Sequence, residues 1–214
     1  MKVLVTGFDP FGGEKVNPAY EAVKLLPDTI AGAEIIKIEI PTVFTRSAEV
    51  LEEAIQKYRP DVVLDVGQAG GRSCMTVEKV AINLKEARIP DNDGEQPFDE
   101  PIREDGETAY FSTLPVTAMV ENMRAHGIPA HISYTAGTYV CNCIMYNALY
   151  LAAKKYLGVR AGFIHVPFEN GQVVDKANGT PFMSLEMIAK GLEYGIEAAV
   201  TTTDDVQKAM GETH

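Results

Sequence analysis

The sequence is short of cysteine and of positive charge and has no long apolar run, and each shortage removes a class of protein. Three cysteines, Cys74, Cys141 and Cys143, are too few and odd in number for a disulfide framework. They read as free thiols of a reducing compartment. The start Met1-Lys2-Val3-Leu4-Val5 lacks signal-peptide organisation, so the expected location is the cytoplasm. No apolar stretch approaches the length that crosses a bilayer. Lys and Arg total 19 against 30 Asp and Glu, a formal charge of -11. That balance argues against nucleic acid or an anionic membrane surface as a partner. Histidine is also sparse, and Cys141-Asn142-Cys143 is too closely spaced for ordinary metal clamping, so no metal is expected. The stretch Gly67-Gln68-Ala69-Gly70-Gly71-Arg72 resembles an anion nest. It lacks both the Lys-Ser/Thr ending of a phosphate loop and the spacing of a dinucleotide fingerprint, and no cofactor is implied.

What is present is an ordinary globular composition, 46% apolar and 23% charged, in 214 residues, enough for a full α/β core in one domain spanning 1–214. Short Val- and Ile-rich strands are expected at 3–6, 34–40, 61–66, 80–84, 130–134 and 161–165. Between them lie helical patterns. Asn17 and Pro18 read as cap and first residue of a helix to about Leu26. An amphipathic helix is expected over 45–58, another over 115–125, and one from Cys141 to about Tyr156. Thr180 is expected to cap Pro181 at the start of a long helix to about Ala199. Residues 91–107 are acid-rich and show no period, so they read as an extended surface excursion. The polar tail 201–214 is expected to fray. The alternation implies one mostly parallel or mixed sheet with helices on both faces.

Functional loops in such sheets gather beyond the carboxyl ends of the strands, where Phe8, Gln68, Cys141 and His165 all fall. Cys141 sits in the first turn of its helix, where free N–H groups and the helix dipole favour a thiolate. The bland alternative is a small buried apolar residue. His165 ends an apolar strand and is the candidate base, against the alternative of a core histidine bonded to backbone. Glu78, following the glycine loop, is either a surface charge or the carboxylate that fixes the imidazole tautomer. His126 before Gly127 suits a helix end, His131 a structural strand position, and His214 is terminal. Cys143 points away from Cys141 and is expected in the core or the pocket wall, and Cys74, after the glycine loop, is a candidate for exposure. Phe8 and Phe11, in a glycine-rich turn, suit two walls of a flat apolar pocket.

Several blocks then occur together and in order. They are Gly7-Phe8-Asp9-Pro10-Phe11-Gly12-Gly13 with Asn17-Pro18, then Gly67 to Arg72, then Thr76-Val77-Glu78-Lys79-Val80-Ala81-Ile82-Asn83. Ala87-Arg88-Ile89-Pro90-Asp91-Asn92, Thr138-Tyr139-Val140-Cys141-Asn142 and Gly162-Phe163-Ile164-His165-Val166-Pro167 complete the set. With them the chain resembles, nearly end to end, the pyroglutamyl peptidase I or pyrrolidone-carboxylate peptidase family of cysteine peptidases. The resemblance implies a single three-layer α/β/α sandwich, commonly a homotetramer, that removes an N-terminal pyroglutamyl residue from peptides. It implies Cys141 as nucleophile, His165 as base and Glu78 as orienting acid, with the Cys141 backbone N–H and Arg88 supporting the oxyanion. Phe8 and Phe11 match the lactam pocket, and Asn17 with backbone groups of Gln68 and Val140 the hydrogen-bonding set. Met75 departs from the family's usual branched residue, a change an apolar site tolerates. The competing class is a noncatalytic binding module for a small cyclic or anionic ligand, built on the same glycine loops.

Overall fold

The apolar run near the amino terminus becomes a central strand. β1 (Lys2–Phe8) pairs in parallel with β3 (Ala33–Ile40) on one side and β4 (Val62–Gln68) on the other. β9 (Arg160–Val166) continues in parallel beside β4. Beyond β9 the direction reverses, because β5 (Met75–Glu78) runs antiparallel to β9 and parallel to β8 (Ala130–Ser133). The short β2 (Thr29–Ile30) closes the opposite edge against β3, giving the order β2-β3-β1-β4-β9-β5-β8. A two-stranded ribbon joins β6 (Val80–Ile82) to β7 (Ala109–Phe111). The computed structural model describes residues 1–211. Among them no helix is long and apolar enough to cross a membrane.

Strand alternation sends two side-chain sets to two helical layers. One face packs Val3, Val5, Leu64, Val66, Val77 and Ile164 against α1 (Pro18–Lys24), α3 (Val116–Ala125) and α5 (Leu185–Thr201). The other packs Leu4, Phe8, Val63 and Phe163 against α2 (Phe44–Tyr58) and α4 (Val140–Lys154). A side chain as fully enclosed as Ile164 contributes about 1.5–3 kcal/mol through burial. The three-layer α/β/α sandwich with a mixed central sheet is as expected.

Helix starts show where local signals suffice. Asn17 caps α1 as expected, its Oδ1 accepting from the Ala19 N–H at 3.1 Å, with Pro18 first in the helix. His126 ends α3, its ring bonded to the Asn122 carbonyl and stacked on Tyr194. By contrast, Thr180 and Pro181 do not open the last helix. Ser184 does, accepting from the Met187 N–H, while the Thr180 hydroxyl turns back to the Ala177 carbonyl. The Met183 N–H is held by the Phe168 carbonyl, which keeps the chain extended up to Ser184. α2 and α3 have no side-chain cap of their own and borrow distant ones. Asp91 accepts from the Phe44 N–H at 2.9 Å, so part of the acid-rich excursion is stitched to the body. Asp205 accepts from Thr117 and Ala118 N–H groups at 3.1 and 3.0 Å, which fastens the start of the polar tail. The tail's final residues, His214 included, lie outside the described ones.

Candidate active site

Gly67 explains how a helix start and a strand end come together. Cys141 is the second residue of α4, in a turn whose N–H groups lack intrahelical partners. A Cβ added at Gly67 would stand 2.8 Å from Cys141 Sγ and 2.7 Å from Phe163 Cζ, so only glycine leaves the sulfur its place. Gly67 is the register partner of His165, which puts the thiol beside the strand that carries the imidazole. His165 Nδ1 lies 2.7 Å from Glu78 Oε1, and both residues are buried. The carboxylate can only accept, so Nδ1 carries the proton and Nε2 is left as the ring's acceptor. Neither the surface-charge reading of Glu78 nor the backbone-bonded reading of His165 survives. Glu78 ends β5, a strand absent from the sequence-based expectation, and stands just before β6, as expected.

The electrostatics correct one expectation. The helix start was expected to favour a thiolate at Cys141. Burial instead pushes this thiol up to about 12; the Glu78 and Asp65 charges add to that shift, and Arg72 and the residue's own N–H oppose it. Desolvation outweighs the helix terminus, so the resting sulfur is a thiol whose proton a base must remove. Burial also holds His165 below its ordinary range against the pull of Glu78, so the ring rests neutral. Burial works against ionisation of Glu78, but the His165 bond and charge, the nearby Ser133 hydroxyl and the Arg72 charge hold its carboxyl below the usual range. Two buried side-chain oxygens in the described structure lack a hydrogen-bond partner, Glu78 Oε2 and Asp65 Oδ2. Asp65 Oδ1 accepts from the Thr6 hydroxyl at 2.6 Å, and burial pushes the Asp65 carboxyl up to about 7.

The remaining candidates surround this centre unevenly. Phe8 ends β1 and is buried, while Phe11 is half-buried with its ring 6.1 Å from Tyr139. Tyr139 meets Phe44 edge-on at 5.3 Å and donates to the Pro90 carbonyl at 3.0 Å. Val140 is buried as the first residue of α4. Asn17 is engaged at both ends, capping α1 and donating to the Asp9 carbonyl at 2.9 Å. Gln68 accepts from Gln172 at 2.8 Å. Arg88 is exposed and lines a cleft of about 460 Å³ with Ile89, Gly137, Thr138 and Tyr139. Among the described residues no hydrogen bond ties Arg88 to Cys141, His165 or Glu78. Cys143 is buried in the core, and Cys74 is half-buried rather than exposed. Sequence reasoning gave no role to Arg72, Asp65, Tyr139 or Gln172. Only Arg72 and Tyr139 carried a signal, through their places in motif blocks.

A thiol, a neutral imidazole and a buried carboxylate, gathered where strand ends meet a helix start in an α/β/α sandwich, define the class of thiol hydrolases. The chain belongs to the pyroglutamyl peptidase family, whose model matches residues 1–202. A pyrrolidone-carboxylate peptidase of Enterococcus faecalis is 62% identical over 214 residues, covering 100% of both chains. The crystal structure of pyroglutamyl peptidase I from Bacillus amyloliquefaciens superposes with a TM-score of 0.94 at 47% identity, covering 97% of this chain and 99% of that one. Pyrrolidone carboxyl peptidase from Thermococcus litoralis gives a TM-score of 0.93 at 40% identity, covering 97% and 99%.

Proposed function

We propose that the chain releases an N-terminal pyroglutamyl residue from peptides by acyl transfer through Cys141, as one catalytic domain. The observation that carries this reading is the Glu78–His165 bond beside a thiol whose place depends on Gly67. His165 Nε2 takes the Cys141 proton as sulfur attacks the pyroglutamyl carbonyl carbon. The carbonyl electron pair moves onto oxygen, where the Cys141 N–H and Arg88 support it. Collapse of this intermediate breaks the C–N bond, and the departing amine takes the proton from His165. Water then attacks the thioester; His165 takes the water's proton and passes it to the leaving sulfur. Glu78 keeps Nδ1 protonated and supports the transient imidazolium.

Selectivity follows from what a lactam lacks. Its ring brings no charged amine, so an apolar slot formed by Phe8 and Phe11 accepts it, with hydrogen bonds from Asn17 and backbone groups of Gln68 and Val140. A free glutamyl or glutaminyl terminus would bring an ammonium group whose burial is costly. Tyr139, packed between Phe11 and Phe44, extends that slot. The free thiols support a cytoplasmic setting, and the family resemblance supports a homotetramer, which light scattering of the purified protein would read.

Turnover of pyroglutamyl, prolyl and glutaminyl amides tests the proposal. Only the first should be cleaved at an appreciable rate. Comparable cleavage of the other two would sink the lactam pocket. Intact pyroglutamyl amide together with no preferential iodoacetamide labelling of Cys141 would favour a binding module instead.

A further inference from the structure

Arg72 leaves the glycine loop and turns its guanidinium onto the carboxylate oxygen that also holds His165. Arg72 Nη1 and His165 Nδ1 each lie 2.7 Å from Glu78 Oε1. The same Nη1 bonds the Thr76 hydroxyl, and Nη2 donates to the Thr135 carbonyl at 3.4 Å. Arg72 therefore ties the loop before β5 to β5 itself and to the segment after β8. Its side chain is 29% exposed while that of Glu78 is 0%, so the cation enters from the rim and the carboxylate reaches up from the interior. A buried carboxylate calls for a neutralising neighbour, and Arg72 is the fixed cation bonded to this one.

We propose that Arg72 is a positioning residue for acyl transfer, the clamp that holds the Glu78 carboxylate against His165 and offsets its negative charge. The inference rests on the reading of the site given above. Glu78 faces His165 from β5, Arg72 from the preceding loop and Cys141 from α4, while Asp65 lies on the same sheet face in β4. Phe163 packs against the ring with centroids 4.7 Å apart. Of these groups only Arg72 carries a fixed positive charge. It disfavours protonation of the ring and favours ionisation of the thiol, which eases proton transfer from Cys141 and onward to the leaving amine. Without it the pull of Glu78 on an imidazolium is no longer offset, and the ring keeps its proton to higher pH.

Arg72→Met and Arg72→Lys test this through an NMR titration of the His165 imidazole and through kcat and KM for a pyroglutamyl amide across pH. In Arg72→Met the titration midpoint and the acidic limb of kcat/KM should both rise by about one pH unit. At neutral pH kcat should fall at least about tenfold, with KM changing by less than about threefold. Arg72→Lys keeps the charge without the planar fork, so its limb should stay in place while kcat falls less. An unmoved imidazole titration in Arg72→Met would overturn the proposal. So would a rise in KM alone, which would make Arg72 a substrate contact. Should Arg72→Met fail to fold, Arg72→Gln carries the same expectations and the same overturning results. The titration needs no substrate, so a wild-type protein inactive on pyroglutamyl amides would defeat the peptidase reading while leaving this measurement to stand or fall separately.

Discussion

The two faces of the central sheet are made by alternate residues of the same strands, yet they are built to different rules. Toward α1, α3 and α5 the strands present Val, Leu, Ile and Met, and burial alone stabilises the contact. Toward α2 and α4 the same strands begin apolar, with Leu4, Val63 and Ala161, and turn polar toward their carboxyl ends. There Thr6, Asp65, Thr76, Glu78 and His165 are buried, each needing a partner. Both orphaned oxygens, Asp65 Oδ2 and Glu78 Oε2, lie on this face. One face therefore serves stability, and the other gives up some of it to hold reactive groups away from water.

Substitutions on the two faces should separate rate from stability. The largest effect is expected from Cys141→Ser, which should fold normally and lose at least about a thousandfold in turnover of a pyroglutamyl amide. Substantial retained activity would remove Cys141 as nucleophile. Glu78→Gln should cut kcat by about a hundredfold or more with little change in melting temperature, and an unchanged rate would remove it from the triad. On the opposite face Ile164→Ala, next to His165 in sequence, should cost about 2–5 kcal/mol in urea unfolding. Its folded fraction should keep near-normal kcat, and a large loss of kcat there would mean the faces are not independent. Gly67→Ala should lower kcat by about a hundredfold by displacing the Cys141 sulfur, with iodoacetamide labelling of Cys141 altered in parallel. Unchanged labelling and rate would show that the close approach is immaterial.

The smallest effect concerns Asp65. Burial raises its folded value above the unfolded one, so from about pH 4 to 7 the unfolded chain ionises this carboxyl more readily than the folded one does. Its contribution therefore favours the folded state less as pH rises, and levels off above about 7. Asp65→Asn removes that decline. Its unfolding free energy relative to wild type should rise by about 2 kcal/mol between pH 5 and pH 7, and a constant difference would show that the carboxyl does not titrate there.

How much of this was legible depended on the range of the interaction. The start of α4 at Val140 and the strand ending near His165 follow from local composition, as does the Asn17 cap. What failed needed contacts far along the chain. β5 is four residues long and is specified by pairing with β8 and β9, so the alternation of Met75 to Glu78 was too short to read as a strand. The Asp91 and Asp205 caps come from 47 and 88 residues away. The thiolate expectation weighed a helix terminus, which sequence displays, against desolvation, which it does not. Asp65 carried no signal within its expected strand, and only the register with β1 reveals the Thr6 hydroxyl opposite it.

Within one short stretch, Arg72 in the loop before β5 reaches the same Glu78 oxygen that holds His165 on the antiparallel neighbour β9. Cation and acid lie six positions apart in the chain. That geometry makes the spacing within β5 a frame that tolerates no slippage. One residue inserted after Arg72 could be absorbed in the turn, but one inserted between Thr76 and Glu78 would swing the acid through the sheet into the dry layer beneath. Length variation in this protein's relatives should accordingly fall before residue 75 or after residue 78, and not within β5.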